Sequence, residues 1–273
     1  MSEELKPHVL HARDSRGVVT LTLNRAHSYN ALSEAMLHAL QAAFDAVAAD
    51  ESARVVVLAA AGKAFCAGHD LHEMRSKPSI AYYEALFKQC SRMMLTMQRL
   101  PVPVIARVHG LATAAGCQLV ASCDLAVAST IARFAVSGVN LGLFCSTPSV
   151  ALARNVPRKQ AMEMLLTGDF IDAKQACEHG LVNRVAEPER LDAEVDALVQ
   201  RIVGKPRVAV ALGKQQFYRQ IEAGVEQAYA IAGQAMACNM MDEAALEGVQ
   251  AFIDKRPPSW TRDAEQTSST QNE

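Results

Sequence analysis

The chain has 273 residues, of which half are apolar and 21% are charged, enough to bury a substantial core. Its formal net charge is −2, and acidic and basic residues are interspersed, so no electrostatic footprint for nucleic acid or an anionic membrane surface is present. We therefore expect neither nucleic acid nor a membrane among its partners.

The longest apolar region, residues 101–129, is interrupted by four polar residues that would be costly in a bilayer, namely Arg107, His109, Gln118 and Asp124. We expect no transmembrane span. The acidic N-terminus, MSEELKPHVL, lacks the patterns of a signal peptide and of an Arg-rich presequence, which favours a cytoplasmic location. The seven cysteines form no C-x-x-C pair, so neither a disulfide framework nor a zinc knuckle is expected.

The N-terminal elements follow strand and helix periodicities in turn. Residues 17–25 alternate as a strand does, and the preceding HVLHAR is predicted to pair with them as a hairpin. Ser33 and Glu34 begin a predicted helix whose apolar residues recur at i, i+3, i+4 spacing. The β-branched run at 54–62 does not alternate, which is typical of a strand covered on both faces.

The same pattern continues through the middle of the chain. A helix is predicted from about Ile80 to Leu100, and the prolines of LPVPVIARVHG end it and begin a second buried strand. A small-residue turn leads into the helix AAGCQLVASC, and DLAVAS predicts a third strand. The repeated order of strand, small-residue loop and helix predicts an α/β layered fold.

From Lys205 onward the periodicity is almost wholly helical, which predicts a boundary near Gly204. The predicted organisation is an α/β core over 1–204, a helical region over 205–260, and a polar, disordered tail over 261–273.

The stretch KAFCAGHDLHEM, residues 63–74, allows several functions. A phosphate loop is not supported, because neither G-x-x-x-x-G-K-[ST] nor G-x-G-x-x-G occurs. His69, Asp70 and His72 lack a partner cluster for a metal site, so no metal is expected. Asp70, with Glu73 three residues later, is predicted to form the N-cap and capping box of a helix.

The backbone of this stretch offers a further possibility. Ala67-Gly68-His69 follows a strand end at a helix start, where a main-chain N–H can point outward, and TAAGCQ offers a second such turn. Two such donors would hold one oxyanion. Small residues before helices are also typical of close packing, so both interpretations stand at this point.

Five segments, in order and covering nearly the whole chain, resemble the crotonase (enoyl-CoA hydratase/isomerase) superfamily: LTLNRAHSYNALS, KAFCAGHDLHEM, PVPVIARVHGLATAAGCQLVASCDLAVAS, LLTGDFIDAKQACEHGLVNRV and AFIDKRPPSW. The resemblance implies a spiral of ββα units with a C-terminal helical trimerisation region, and hence a homotrimer or a dimer of trimers. It also implies acyl-CoA thioester substrates, with coenzyme A entering as part of the substrate and no separate cofactor.

The resemblance further implies an enolate stabilised by two backbone N–H groups, which the motif match assigns to His69 and Ala115. Contacts to coenzyme A fall on five residues, namely Arg25, Ala67, His69, Phe252 and Lys255. Phe252 and Lys255 match positions that can reach a neighbouring subunit's nucleotide pocket. Arg25 can equally be a solvated loop residue, and the two C-terminal positions can equally be the end of an amphipathic helix.

The chain departs from the hydratases of this superfamily, whose two catalytic glutamates fall here on Gln118 and Gly138. Neither residue can exchange protons, and each missing group is expected to remove about 10²–10⁴-fold of hydratase rate. Non-hydratase chemistry is therefore favoured. Decarboxylation of a malonyl-type thioester is one possibility, because loss of CO₂ itself generates the enolate. AGHDLHE and VNLG also resemble the methylmalonyl-CoA decarboxylase branch, which has a tyrosine where this chain has Cys145.

Three side chains near these motifs have alternative roles. The His69 imidazole can contact an acyl carboxylate or simply pack, Gln118 can orient water or bond its helix neighbours, and Cys145 can face the acyl group or fill space. Two other functions stay open. One is a weak hydratase that uses Glu73 or Glu84 as substitute acids, and the other is a non-catalytic coenzyme A-binding or assembly protein.

Overall fold

Two β-sheets form the centre of the computed structural model, which describes residues 7–261. The larger sheet has six strands, in the spatial order β1 (Val9–Arg13), β2 (Val18–Leu23), β3 (Val55–Ala60), β5 (Val104–Val108), β7 (Leu125–Ser129) and β10 (Arg184–Ala186). The smaller sheet has four, in the order β4 (Ala64–Cys66), β6 (Leu111–Thr113), β8 (Arg133–Ala135) and β9 (Ile171–Asp172).

Strand pairing makes both sheets mixed. The hairpin β1–β2 is antiparallel, as predicted, and the remaining neighbours in the larger sheet are parallel. In the smaller sheet β4, β6 and β8 are parallel and β9 is antiparallel to β8. Three successive turns of chain each give one strand to the larger sheet and the next to the smaller one. The predicted spiral of ββα units is confirmed.

The helices cover the sheets and continue beyond them. They are α1 (Glu34–Ala49), α2 (Leu71–Ser76), α3 (Ile80–Arg99), α4 (Ala115–Ser122), α5 (Ser146–Leu152), α6 (Arg158–Thr167), α7 (Ala173–Glu178), α8 (Leu191–Val203), α9 (Arg207–Gln220), α10 (Val225–Met240) and α11 (Glu243–Ile253). The Ser33 hydroxyl accepts a hydrogen bond from the Met36 N–H, which confirms the predicted start of α1. Helix α3 ends one residue before the predicted Leu100.

The apolar core lies on both faces of the larger sheet. Between the two sheets it is built from α1, α3, α4 and the strands facing them, and on the outer face a smaller cluster lies under α8. All six residues of β3 are buried, as its non-alternating pattern predicted. Within residues 7–261, no helix is long and apolar enough to cross a bilayer.

A buried ion pair attaches the C-terminal helices to the rest of the chain. On α9, the Lys214 ammonium lies 2.7 Å from the Asp124 carboxylate and donates to the carbonyl groups of Met97 and Val102 at 2.8 and 2.9 Å. Burial lowers the pKa of Lys214, and the nearby Asp124 carboxylate opposes this effect. The Tyr218 hydroxyl donates to the other Asp124 oxygen at 2.9 Å. Helix α9 is thus fixed at the corner between α3 and β5.

The last helices expose much apolar surface. Helix α10 has no buried residue in the single chain, and its large exposed apolar side chains lie at i, i+4, i+11 and i+15, on one face of the helix: Val225, Tyr229, Met236 and Met240. We name these four residues the α10 stripe. Helices α9–α11 follow Gly204 as expected, but the division into domains stays a prediction, and residues 262–273 of the predicted tail lie outside the described part of the chain.

Candidate active site

The turns after β4 and β6 lie directly against each other. Gly68, in the first turn, has φ +93°, and a Cβ placed on it would lie 3.0 Å from the Ala114 Cβ and 3.3 Å from the Ala115 nitrogen. Gly116, in the first turn of α4, is closer still, because a Cβ there would lie 2.0 Å from the Cys66 carbonyl oxygen. The small residues in both motifs therefore bring two stretches of backbone into contact.

Each of these turns presents a main-chain N–H without a partner. Leu32 donates to the Gly68 carbonyl at 2.8 Å and accepts from the Asp70 N–H at 3.4 Å, so the His69 N–H, between them, faces the opposite way. Ala115 is the first residue of α4, where an N–H has no intrahelical acceptor. Neither the His69 nor the Ala115 N–H donates a hydrogen bond within residues 7–261.

Ala114 precedes the second donor and has a strained backbone. Its φ is +49° and its ψ is −119°, a conformation that glycine adopts readily and residues with a Cβ avoid, at a cost of about 1–3 kcal/mol. Its N–H donates to the Ala135 carbonyl at 2.9 Å, and the Thr113 hydroxyl donates to the Ala67 carbonyl at 3.0 Å. These bonds on both sides hold the strained turn and fix the direction of the Ala115 N–H.

His69 is partly buried, and its imidazole lies beside its own free N–H. Its Nδ1 lies 3.3 Å from the Leu32 carbonyl oxygen, and because a carbonyl can only accept, Nδ1 carries the proton. Burial lowers the pKa of His69, and this hydrogen bond opposes the shift only in part, so the ring is neutral at pH 7. The ring meets Phe87 of α3 edge-on at 5.5 Å. Its Nε2 is buried and has no partner in the described residues.

Gln118 lies one turn into α4 and is 5% exposed. Its backbone N–H donates to the carbonyl of Ala114, which lies in the turn after β6. Because residues four apart lie on one face of a helix, the Gln118 side chain is on the same face as that turn. The side-chain oxygen Oε1 is buried and has no hydrogen-bond partner within residues 7–261. The interpretation of Gln118 as an amide satisfied by its helix neighbours is therefore wrong for this oxygen.

Gly138 and Cys145 come together next to α4. The Gly138 N–H donates to the Cys145 sulfur at 3.3 Å, and a Cβ at position 138 would lie 2.4 Å from the Leu143 carbonyl oxygen and 2.7 Å from that sulfur. Burial raises the pKa of the Cys145 thiol, so the sulfur is protonated at neutral pH. Cys145 fills the space that Gly138 leaves, which favours its interpretation as a packing residue.

The loop that carries Arg25 is held close to the first turn. An Arg25 nitrogen lies 2.7 Å from an Asp70 carboxylate oxygen, and both side chains are largely buried. Sequence reasoning missed Asn30, whose fully buried amide donates to the carbonyls of Ala61 and Ala64 at 2.8 Å and accepts from the Arg25 N–H. Its φ of +54° lies in a region that asparagine tolerates better than most residues, but this angle appears only in the folded chain, and no sequence pattern pointed to Asn30.

The predicted capping box is wrong in one half. Asp70 is the N-cap of α2 and accepts from the N–H groups of His72 and Glu73, as expected. The Glu73 carboxylate does not return to the Asp70 N–H but accepts from the Glu34 N–H at 2.9 Å. The reason is that Glu34 begins α1, whose first N–H groups have no intrahelical partner. This hydrogen bond engages the carboxylate of Glu73, one of the two glutamates considered as substitute acids.

The other residues predicted to contact coenzyme A differ in whether their backbone groups or side chains are free to bind it. The Ala67 N–H donates to the Tyr29 carbonyl at 3.1 Å and its carbonyl accepts from Thr113, so both main-chain groups of Ala67 have partners. Phe252 is 85% exposed at the end of α11, and Lys255 follows it with φ +55°. Their contact with a neighbouring subunit stays a prediction.

Other features of the surface lie apart from these turns. A groove of about 510 Å³ runs beside α8 on the outer face of the larger sheet, and its arginines pair with aspartates: Arg16 with Asp14 and Asp196, and Arg107 with Asp192. Because its charged groups are already paired and the two turns are on the other face, we do not assign the chemistry to it. The described residues contain no cluster of His, Cys, Asp or Glu that could hold a metal ion.

Comparison with known proteins identifies a family for this chain. The model of the enoyl-CoA hydratase/isomerase family matches residues 13–263. A crystal structure of an enoyl-CoA hydratase from Mycobacterium smegmatis is 67% identical, with a TM-score of 0.93, covering 94% of this chain and all of that one. The structure of human enoyl coenzyme A hydratase domain-containing protein 3 is 44% identical, with a TM-score of 0.89, covering 93% and 100%.

The mouse enoyl-CoA hydratase domain-containing protein 3 is 45% identical over 94% of this chain and 86% of its own length. Its name describes it as mitochondrial, whereas a cytoplasmic location for the present chain stays a prediction. The matches extend through both turns and the C-terminal helices. The chain therefore belongs to the enoyl-CoA hydratase/isomerase family and has the crotonase fold.

Proposed function

We propose that the chain is an acyl-CoA thioester enzyme that stabilises an enolate with the backbone N–H groups of His69 and Ala115. The observation that carries this proposal is that both donors lack an acceptor among residues 7–261 and lie on turns in contact with each other. When the α-carbon of a thioester becomes carbanionic, negative charge develops on the carbonyl oxygen. Two preorganised donors stabilise that charge without a reorganisation cost.

We infer that the chemistry is not efficient hydration. Hydration needs one group to activate water and another to protonate carbon, and Gln118 and Gly138 can do neither. Glu73 is engaged with the Glu34 N–H, and Glu84 is exposed on α3, which disfavours both as substitute acids. Malonyl-type decarboxylation loses one support, because a neutral His69 provides no cation for an acyl carboxylate.

The direct test is exchange of the α-protons. Butyryl-CoA incubated with the protein in buffered D₂O is expected to gain deuterium at C2, which mass spectrometry detects, because deuteroxide or the buffer base takes the α-proton and the stabilised enolate then takes a deuteron from solvent. Malonyl-CoA in parallel tests for release of CO₂. Neither exchange nor decarboxylation in the presence of measurable binding would leave the non-catalytic, coenzyme A-binding alternative.

Binding itself is tested with acetyl-CoA. We expect a groove between residues 63–70 and the Arg25 loop to take the nucleotide, so calorimetry should detect acetyl-CoA. An absence of heat and of competition at millimolar ligand would contradict acyl-CoA recognition altogether.

Restoring one carboxylate is expected to restore part of the hydratase chemistry. Wild-type protein should hydrate crotonyl-CoA slowly, and Gln118→Glu should raise that rate by at least about tenfold, since a proton-transfer group contributes roughly 10²–10⁴-fold. The rate is measured by the loss of enoyl thioester absorbance, with Gln118→Met as the matched control of similar length. A wild-type kcat in the ordinary enzyme range, about 1–10³ s⁻¹, would show that another residue supplies the acid and base.

The second carboxylate cannot be restored so simply. A side chain at Gly138 would overlap the Leu143 carbonyl and the Cys145 sulfur, so Gly138→Glu is expected to displace the loop between them. A variant that combines Gln118→Glu with Gly138→Glu should therefore hydrate crotonyl-CoA no faster than Gln118→Glu alone.

We propose a trimer or a dimer of trimers in solution. The α10 stripe leaves large apolar side chains uncovered, with Val225, Tyr229 and Met236 each more than 70% exposed, and a closed ring of subunits would cover them. Light scattering should give three or six times the chain mass, and replacing Tyr229 and Met236 with glutamate should shift the protein towards monomer. A monodisperse monomer of the wild type at micromolar concentration would contradict the prediction.

A further inference from the structure

The imidazole of His69 is held in one tautomer by a single backbone contact. Nδ1 donates to the Leu32 carbonyl, and burial keeps the ring neutral, so Nε2 carries a lone pair and no proton. Leu32 is itself fixed by its pairing on both sides of His69, through Gly68 and Asp70. The direction and the protonation of the ring are thus set by the same bridge that turns the His69 N–H outward.

Each of the two adjoining turns is followed by a side chain with an unpartnered hydrogen-bond acceptor. The Nε2 of His69 and the Oε1 of Gln118 are each buried, and neither has a partner among residues 7–261. Buried polar atoms are usually satisfied, and those that are not require an explanation such as a bound ligand or water. The two residues belong to the two adjoining turns, His69 directly to the first and Gln118 one helical turn beyond the second.

Two acceptors call for a ligand with a donor. A carboxylate is an acceptor when ionised, so it would place its charge against these two lone pairs and gain a hydrogen bond from neither atom. A hydroxyl group would donate to one of the two atoms, and the amide nitrogen of Gln118 can donate in return. No charged side chain contributes to the pKa of His69, and the nearest acid along the chain, Asp70, is paired with Arg25.

We propose that His69 determines acyl specificity, accepting a hydrogen bond at Nε2 from a hydroxyl on the bound acyl chain and disfavouring acyl groups that carry a carboxylate. This proposal rests on acyl-CoA binding at the two turns. It assigns the His69 residue two separate roles, with its N–H directed at the thioester oxygen and its ring at the acyl substituent.

The test compares three ligands that differ only in the acyl group: butyryl-CoA, 3-hydroxybutyryl-CoA and methylmalonyl-CoA. Calorimetry with wild-type protein should give a dissociation constant for the hydroxyacyl ligand about tenfold below that for butyryl-CoA, and the weakest binding for methylmalonyl-CoA. The variant His69→Phe keeps the backbone N–H but has no ring acceptor. It should bind butyryl-CoA and 3-hydroxybutyryl-CoA, the two ligands with uncharged acyl groups, equally. The matched control is His72→Phe, since His72 is exposed on α2, and it should keep the wild-type ratio.

The outcomes separate this proposal from the one on which it rests. Failure of wild-type protein to bind any acyl-CoA, acetyl-CoA included, would overturn both. Normal binding of butyryl-CoA with no preference for the hydroxyl, or a preference for methylmalonyl-CoA that His69→Phe abolishes, would overturn the specificity role alone.

A spectroscopic measurement on the wild-type protein tests the tautomer directly. With ¹⁵N-labelled histidine, the wild-type spectrum at pH 7 should contain one neutral ring protonated at Nδ1 whose Nε2 signal moves when 3-hydroxybutyryl-CoA is added and moves less with butyryl-CoA. The chain has eight histidines, and His69→Gln assigns this signal by removing it. A doubly protonated ring, or a ring protonated at Nε2, would overturn the proposal.

Discussion

Removal of the Ala115 N–H is expected to slow α-proton exchange by about 10²–10³-fold, the effect of losing one donor to a developing oxyanion. The change is Ala115→Pro, made in an Ala114→Gly background. Proline is accepted at the first position of a helix, where its missing N–H has no intrahelical acceptor, so α4 should persist. Glycine at 114 removes the Cβ that would otherwise meet the proline ring at a φ of +49°.

The control is Ala114→Gly alone, which keeps the donor. It should exchange α-protons at the wild-type rate, and its thermal stability should be close to that of the wild type, because relief of the strained φ offsets the extra freedom of glycine in the unfolded chain. Exchange measured by mass spectrometry in D₂O, together with acetyl-CoA affinity, distinguishes a lost donor from a lost fold. Equal exchange rates in the single and double variants would contradict a role for the Ala115 N–H.

Gly116→Ala is expected to destabilise the protein by about 3 kcal/mol, near the upper end of ordinary overpacking effects. The added methyl group would lie 2.0 Å from the Cys66 carbonyl oxygen, 2.7 Å from its carbon and 2.9 Å from its Cβ. Two of these atoms are backbone, so α4 must move away from β4. That movement separates the His69 and Ala115 donors, and we expect α-proton exchange to be lost even in the fraction that stays folded.

Gly213→Ala is the same substitution at another position, and it is expected to change the free energy of unfolding in the opposite direction. Gly213 is an exposed residue inside α9, and a Cβ there would meet nothing within 4 Å. Alanine should therefore stabilise the protein by up to about 1 kcal/mol through its higher helix propensity. Urea unfolding measures both variants against the wild type. A Gly116→Ala protein as stable as wild type would show that the two turns are not closely packed in solution.

The regular elements could be predicted because their periodicity reports burial. Helix α1 has its buried residues at the predicted positions, and β3 is buried throughout, as expected for a run without alternation. The capping box failed for a different reason. The pattern of Asp70 and Glu73 describes a local bond, whereas the Glu73 carboxylate finds a non-local donor at Glu34, 39 residues earlier, and a local pattern carries no information about such a partner.

The candidate site was predicted only in part. The motifs identified His69 and Ala115 by resemblance, but no sequence rule predicts a positive φ at Ala114, since alanine has a Cβ and normally avoids it. The protonation of the His69 ring depends on the Leu32 carbonyl, which comes from a loop 37 residues earlier. The buried oxygen of Gln118 likewise depends on which groups surround it after folding.

The buried ion pair between Lys214 and Asp124 also affects how the chain folds during its synthesis. Its ammonium completes the bonds of the Met97 carbonyl, 117 residues earlier, and of the Asp124 carboxylate. On the ribosome the residues of the corner between α3 and β5 are synthesised long before Lys214, so the Asp124 carboxylate and the Met97 and Val102 carbonyls must be hydrated by water in the meantime. Since domains are completed as the chain emerges from its N-terminus, the corner closes only after α9 has been synthesised. A nascent or truncated chain that ends before α9 would keep that hydrated corner, and with it a route for solvent into the core.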